Sequence, residues 1–275
     1  MSNNRRGFLR ELASVVTAAK DAPEPVVPDL SDAEVERYSR QLVLPEWGAA
    51  AQLALIEASV LVIGAGALGS PVGLYLAGAG VGRIGIVDDD AVELSNLHRQ
   101  LLHFTPDLGT PKSESAAAKL RFLNPDVVIE PYQVRVAAAN APALVEGQDL
   151  VVDCSDSFAT RYAVNAACCA ARVPVVEAGV LGMAGMVMSI KPGRTACYRC
   201  AFPTAPADAP RCADAGVLGP AAGVIGSLQA MEALKLLTGV ASAIADGFLQ
   251  VDLATAEFLR VRVARREDCP DCSPL

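Results

Sequence analysis

Histidine is nearly absent from this chain, with two in 275 residues. Imidazole acid–base chemistry therefore has little to work with, and no Ser–His–Asp arrangement is apparent. The phosphate-cradling G-x-x-x-x-G-K-[ST] loop is missing as well, which excludes a P-loop nucleotide site. No apolar run reaches the roughly eighteen residues that span a bilayer, because glycine and polar residues interrupt each candidate. Positive charge is in deficit: 23 Lys and Arg face 31 Asp and Glu, for a net charge of −8. A phosphate backbone needs a basic face, so nucleic acid is disfavoured as the main partner. Eight cysteines are too few to staple a chain of this length with disulfides. The expectation is a cytoplasmic protein without a membrane partner. A hydrophobic fraction of 52% supplies ample core for one large α/β domain or two small ones.

What is present centres on Val60 to Gln100. A β-branched run, Val60 to Ile63, meets Gly64, Gly66 and Gly69 in G-x-G-x-x-G spacing, then a helix over Ser70 to Ala79, then a second apolar strand from Ile84 to Val87 that ends on Asp88. Gly64 permits the tight turn, Gly66 lets backbone N–H groups approach a phosphate, and Gly69 lets the helix pack near the strand. Asp88 lies about twenty residues beyond the last glycine, where a carboxylate accepts ribose hydroxyls. A dinucleotide dehydrogenase would present the same turn. The following run, Asp88 to Gln100, adds Asp90, Asn96, Arg99 and Gln100, a set suited to a triphosphate and a divalent cation and superfluous for nicotinamide.

Cys197-Tyr198-Arg199-Cys200 and Cys269-Pro270-Asp271-Cys272 form the strongest metal signal. Four thiolates on two short knuckles fit a closed, structural tetrahedral zinc site; a redox C-x-x-C pair or an iron–sulfur cluster is the alternative. Cys154, Cys168 and Cys169 lie in apolar surroundings and read as core.

The G-x-G-x-x-G turn, the D-x-D at Asp88 and Asp90 and the S-N-L-x-R-Q run from Ser95 to Gln100 resemble the MoeB/ThiF/HesA family of ubiquitin-activating-like sulfur-carrier adenylyltransferases nearly residue for residue. R-Y-x-R-Q-x-x-L-P from Arg37 to Pro45 and G-x-P-K from Gly109 to Lys112 are similar too, so the resemblance spans roughly Ser31 to Cys272. It implies an α/β fold, a Rossmann-like ATP-binding mixed sheet flanked by helices, with a structural zinc site and a smaller antiparallel C-terminal part. It also implies a homodimer, ATP, magnesium and zinc. The implied reaction is adenylation of the C-terminal glycine carboxylate of a small β-grasp carrier ending in Gly-Gly, with pyrophosphate released and a sulfurtransferase as a further partner.

By the same resemblance Arg40 reaches the phosphates of the partner subunit's ATP, Arg99 and Lys112 act on the phosphates in their own subunit, and Asp156 holds magnesium. Asn is usual after that aspartate; this chain has Ser157, which predicts a tuned loop with the metal retained. Cys212, in the Pro- and Ala-rich loop 203–216, matches a crossover-loop cysteine that some members use as acyl or sulfur acceptor; it reads equally as a surface thiol without a role.

The organisation expected is an extension and Pro-rich linker over 1–30 and one adenylyltransferase domain over 31–275, its nucleotide half at about 31–180 and its carrier and zinc half at about 181–275. Arg5-Arg6 superficially matches an export signal, but the segment after it is short and carries Ser and Thr, so a short amphipathic helix is the reading. Ser31 opens a capping box for a helix running to about Leu42, and Gly216 to Thr238 reads as a buried helix, in the core or in a dimer interface. Three rivals stay open: a nicotinamide-dependent oxidoreductase, a non-catalytic carrier-docking module, and a relative that activates a tRNA base. Whether the carrier belongs to molybdopterin, thiamine, another thiolation or a conjugation pathway is not written in these residues.

Overall fold

The computed structural model describes residues 30–205 and 216–273; the expected N-terminal helix and linker, and Cys212, lie outside them. The chain divides into two compact units after Ala54. In the described part of the first, helix α1 (Asp32–Arg37) opens on the expected capping box: Ser31 Oγ accepts from the Glu34 N–H, and the Glu34 carboxylate accepts from the Ser31 N–H at 2.7 Å. The helix does not run unbroken to Leu42. Tyr38, at φ −97° and ψ 10°, leaves helical geometry and separates α1 from α2 (Ser39–Leu42). Its ring is 3% exposed, so burial of an aromatic side chain overrides one residue of helix propensity. Helix α3 (Gly48–Glu57) runs across the division.

The second unit is built on one eight-stranded sheet. Its strands are β1 (Ser59–Ile63), β2 (Arg83–Val87), β3 (Val128–Tyr132), β4 (Leu150–Asp153), β5 (Val175–Leu181), β6 (Ala184–Ile190), β7 (Gly247–Asp252) and β8 (Glu257–Arg262). The spatial order is β3-β2-β1-β4-β5-β6-β7-β8. The first five run parallel and the last three join antiparallel at the β5 edge, which is the mixed sheet expected. Strands β1 and β4 are almost wholly buried, which is why they read as continuous apolar runs and not as alternating ones.

Helices α4 (Gly69–Ala79), α5 (Lys112–Leu123), α6 (Ala141–Val145), α7 (Phe158–Ala171), α8 (Tyr198–Ala201) and α9 (Gly219–Thr238) flank the sheet. Val164, Cys168 and Cys169 of α7 share an apolar cluster with Leu61, Val151 and Val175 of the strands. Cys154 is buried as well, so all three cysteines read as core are core. Helix α9 begins at Gly219, three residues later than its apolar pattern suggests, because Pro220 suits only the first turn. It packs against α4, β4, β5 and β6.

The strand order reverses between β1 and β4, whose C-terminal ends lie side by side with Ile63 in register with Asp153. Loops leaving such a switch point diverge to opposite faces and leave a crevice between them. The glycine turn and the Asp156 loop are those two loops.

Candidate nucleotide and metal sites

At this switch point lies a cavity of about 910 Å³, toward the upper end of the roughly 300–1,000 Å³ usual for ligand pockets. Gly64, Gly66, Asp88, Asp90, Arg99, Gln100, Lys112 and Asp156 all line it. Gly64 sits at φ +94°, a conformation that side chains other than glycine resist. Gly69 does not line the cavity; a Cβ there would stand 1.8 Å from the Gly64 carbonyl oxygen, so its lack of a side chain lets α4 meet the turn. Gly69→Ala is expected to lower stability by about 3 kcal/mol, read as a shift of the urea midpoint; an unchanged midpoint would contradict this packing.

The Asp88 carboxylate braces the turn. Its Oδ2 accepts from the Ala65 N–H at 2.8 Å and its Oδ1 from the Asp90 N–H at 2.9 Å. Burial raises its pKa, opposed by those two bonds and by Lys112. Each oxygen keeps a lone pair for a ribose hydroxyl. Lys112 is buried at the first residue of α5, its N–H bonded to the Asp90 carbonyl and its Nζ 2.7 Å from Asp90 Oδ2. Arg99 is held from behind by the Ser95 carbonyl at 2.8 Å. Gln100 is 5% exposed beside Gly66, and its Oε1 is buried with no hydrogen-bond partner among the described residues. Asn96 stays outside the lining: its Oδ1 accepts from the Glu93 N–H at 3.2 Å and so caps a short 3₁₀ turn. Arg40 lies on α2 in the first unit.

Asp156 is exposed on the loop from β4 to α7. Ser157 takes the N-cap position of α7 without a side-chain capping bond. The loop is held instead by Arg161, whose Nη2 and Nε donate to the Ser155 carbonyl at 2.8 and 3.3 Å and whose guanidinium lies 6.0 Å from the Tyr198 ring centroid. Two fully buried carboxyls, Asp153 and Glu177, stand in register on β4 and β5 nearby, and burial raises the pKa of both. Neither Arg161 nor Arg135, another lining residue, stands out in the sequence. The signal for Arg161 is a cation in the first turns of a helix, where the dipole disfavours it unless acids lie close.

Met186, Phe202 and Phe248 line the same cavity and give part of its wall an apolar character. No helix among the described residues is long and apolar enough to cross a membrane.

The two knuckles meet as the spacing predicts. Cys197 and Cys269 sulfurs are 3.5 Å apart, Cys200 and Cys272 3.5 Å, and Cys197 and Cys200 3.8 Å. A tetrahedron with Zn–S bonds of about 2.3 Å has edges of roughly 3.8 Å, so the four thiols fit a metal site. All four are buried, and burial pushes the Cys272 thiol up, a penalty that a divalent cation reverses. Asn165 of α7 ties the knuckles together, accepting from the Tyr198 N–H at 2.9 Å and donating to Asp271 at 2.6 Å; Asp271 also accepts from Arg199 at 2.8 Å.

Comparison with known proteins agrees with this geometry. The adenylyltransferase and sulfurtransferase MOCS3 of Xenopus laevis is 45% identical over 89% of this chain and 55% of its own length. The SAMP-activating enzyme E1 of Haloferax volcanii is 44% identical over 88% of this chain and 90% of its own. This chain thus spans about 55% of the MOCS3 relative and nearly the whole of the archaeal one. A crystal structure of E. coli MccB with MccA-N7isoASN superposes at a TM-score of 0.79, covering 90% of this chain and 76% of that one, at 22% identity, a likeness of fold. The ThiF family model matches residues 38–271, a stretch that carries the switch-point cavity and three of the four knuckle cysteines, and the chain belongs to that family.

Proposed function

We propose that this protein uses ATP to adenylate the C-terminal glycine carboxylate of a small β-grasp sulfur-carrier protein, releasing pyrophosphate and preparing the carboxyl for thiocarboxylate formation. One observation carries the reading: the glycine turn, Asp88, Arg99, Lys112 and Asp156 line a single cavity whose wall also includes the apolar side chains Met186, Phe202 and Phe248. The names of the Xenopus and Haloferax relatives support it.

The carboxylate nucleophile is already an anion at neutral pH, so the step needs little acid–base help and a chain poor in histidine suffices. The obstacle is repulsion between that anion and the phosphates. Turn N–H groups, Lys112 and Arg99 neutralise the phosphates, and the apolar part of the cavity wall orients the tail for attack at the α-phosphorus. The carboxylate oxygen bonds to phosphorus as the bridging oxygen leaves with pyrophosphate. Asp156 would hold magnesium, which when bound supplies further neutralisation of the phosphate oxygens. Cys197, Cys200, Cys269 and Cys272 would hold a zinc ion with no open position, in a structural role. The family resemblance adds a homodimer in which Arg40 serves the partner's site, a sulfurtransferase as the next partner, and Cys212 as the candidate acceptor.

ATP–pyrophosphate exchange with a panel of β-grasp proteins tests this reading. Exchange is expected with one intact carrier and abolished when its Gly-Gly tail is removed. Exchange with none, or NADH turnover in its place, would overturn it.

A further inference from the structure

His103, which is 2% exposed, is absorbed by nothing above. Its Nε2 lies 2.9 Å from the carbonyl oxygen of Ala65, the residue between Gly64 and Gly66 in the turn. A carbonyl can only accept, so Nε2 carries the hydrogen. In the neutral ring Nδ1 then accepts from Ser115 Oγ, 2.9 Å away on α5. The Ser115 oxygen accepts in turn from Lys119 Nζ at 2.9 Å, and Lys119 pairs with Asp107. Burial holds the imidazole below its usual pKa, with Lys112 and Lys119 acting in the same direction and the Ala65 carbonyl and Asp107 opposing, which favours the neutral ring; its tautomer follows from the carbonyl at Nε2.

Ala65 is thus clamped at both ends, its N–H by Asp88 and its C=O by His103. A peptide unit is planar and trans, so fixing the Ala65 carbonyl fixes the Gly66 N–H in the opposite direction. Gly66 lines the cavity wall, whereas Ala65 is 1% exposed and does not. Were His103 merely a satisfied core histidine, its bond could go to any carbonyl; it goes to the one whose peptide carries the N–H of Gly66, a residue that lines the cavity.

We propose that His103 is a positioning residue for the phosphate-binding turn, acting through the Ala65–Gly66 peptide to aim the Gly66 N–H at the nucleotide. The inference rests on the ATP reading of the same cavity. Ordering this donor in advance favours ATP binding and leaves carrier binding, at the other end of the cavity, untouched.

Calorimetric binding of a non-hydrolysable ATP analogue tests it in wild type, His103→Phe, His103→Gln and Ser115→Ala, with thermal melting and carrier KM measured in parallel. His103→Phe is expected to weaken analogue binding about tenfold, the net worth of one well-placed hydrogen bond, with carrier KM unchanged. His103→Gln can donate to the Ala65 oxygen and is expected to recover most of that loss. Ser115→Ala, which frees the ring, is expected to weaken binding by about threefold. A folded His103→Phe with wild-type affinity, or a glutamine no better than phenylalanine, overturns the proposal. Should His103→Phe not fold, wild-type affinity in Ser115→Ala overturns it. Failure of the wild type to bind the analogue would sink the ATP reading and this inference with it, whereas failure confined to the variants sinks this inference alone.

Discussion

Lys112→Ala is expected to lower carrier-dependent ATP–pyrophosphate exchange by about 10²–10³-fold, the usual effect of removing one preorganised donor from a charged transition state. The effect is large because Lys112 is buried and its ion-pair partner among the described residues, Asp90, lines the same cavity. Charge in a partly desolvated cavity is weakly screened, so Lys112 would act on a bound phosphate more strongly than an exposed lysine. The fold has little at stake. Asp90 is 67% exposed at its side chain and would be resolvated once the lysine is gone, so the ion pair contributes about 1 kcal/mol or less. A melting curve near that of wild type beside a loss of exchange would separate chemistry from folding. Exchange at the wild-type rate would remove Lys112 from the phosphate site.

Much of the site is legible in the sequence because a turn with one steric solution has one residue pattern. Gly64 at positive φ and Gly69 against the Gly64 carbonyl permit no side chain, so the glycines had to be written there. The apolar runs at Val60 and Leu150 place two strands, and their loops meet only because the order reverses between them. That adjacency is long-range and has no local signal; the family resemblance supplied it for Asp156. Asn96 shows the limit of a motif, for its amide is used in capping a turn and not in lining the cavity. His103 and Arg161 show the opposite limit. Each acts through a backbone carbonyl distant in sequence or hidden in a loop, and a carbonyl is present at every position. The break at Tyr38 was illegible for the same reason, since it depends on what the ring buries against.

Removing the metal from the cysteine knuckles is expected to have the larger effect on the fold itself. Wild type should carry one zinc per chain by atomic emission, and Cys269→Ser should lose it. Cys269 and Cys272 end a segment that runs on from β8, and they meet Cys197 and Cys200 from about seventy residues earlier, so a bound ion would close a long loop. Structural zinc supplies on the order of 10 kcal/mol in small zinc-binding modules, comparable with the whole stability of a typical domain at about 5–15 kcal/mol. Here part of that closure is duplicated by protein contacts, Asn165 to Asp271 and Arg199 to Asp271. Loss of several kcal/mol is therefore expected, with unlatching of the C-terminal knuckle, and a chain of this size should then melt about 10 °C lower or more. The consequence is expected to reach the switch-point cavity, because Tyr198 packs on Arg161 and Arg161 holds the Ser155 carbonyl beside Asp156. Chelation should accordingly weaken the magnesium dependence of exchange before it unfolds the sheet. A chelated protein with the wild-type melting point and four freely titrating thiols would show that the knuckles close without metal, and the structural assignment of zinc would fall.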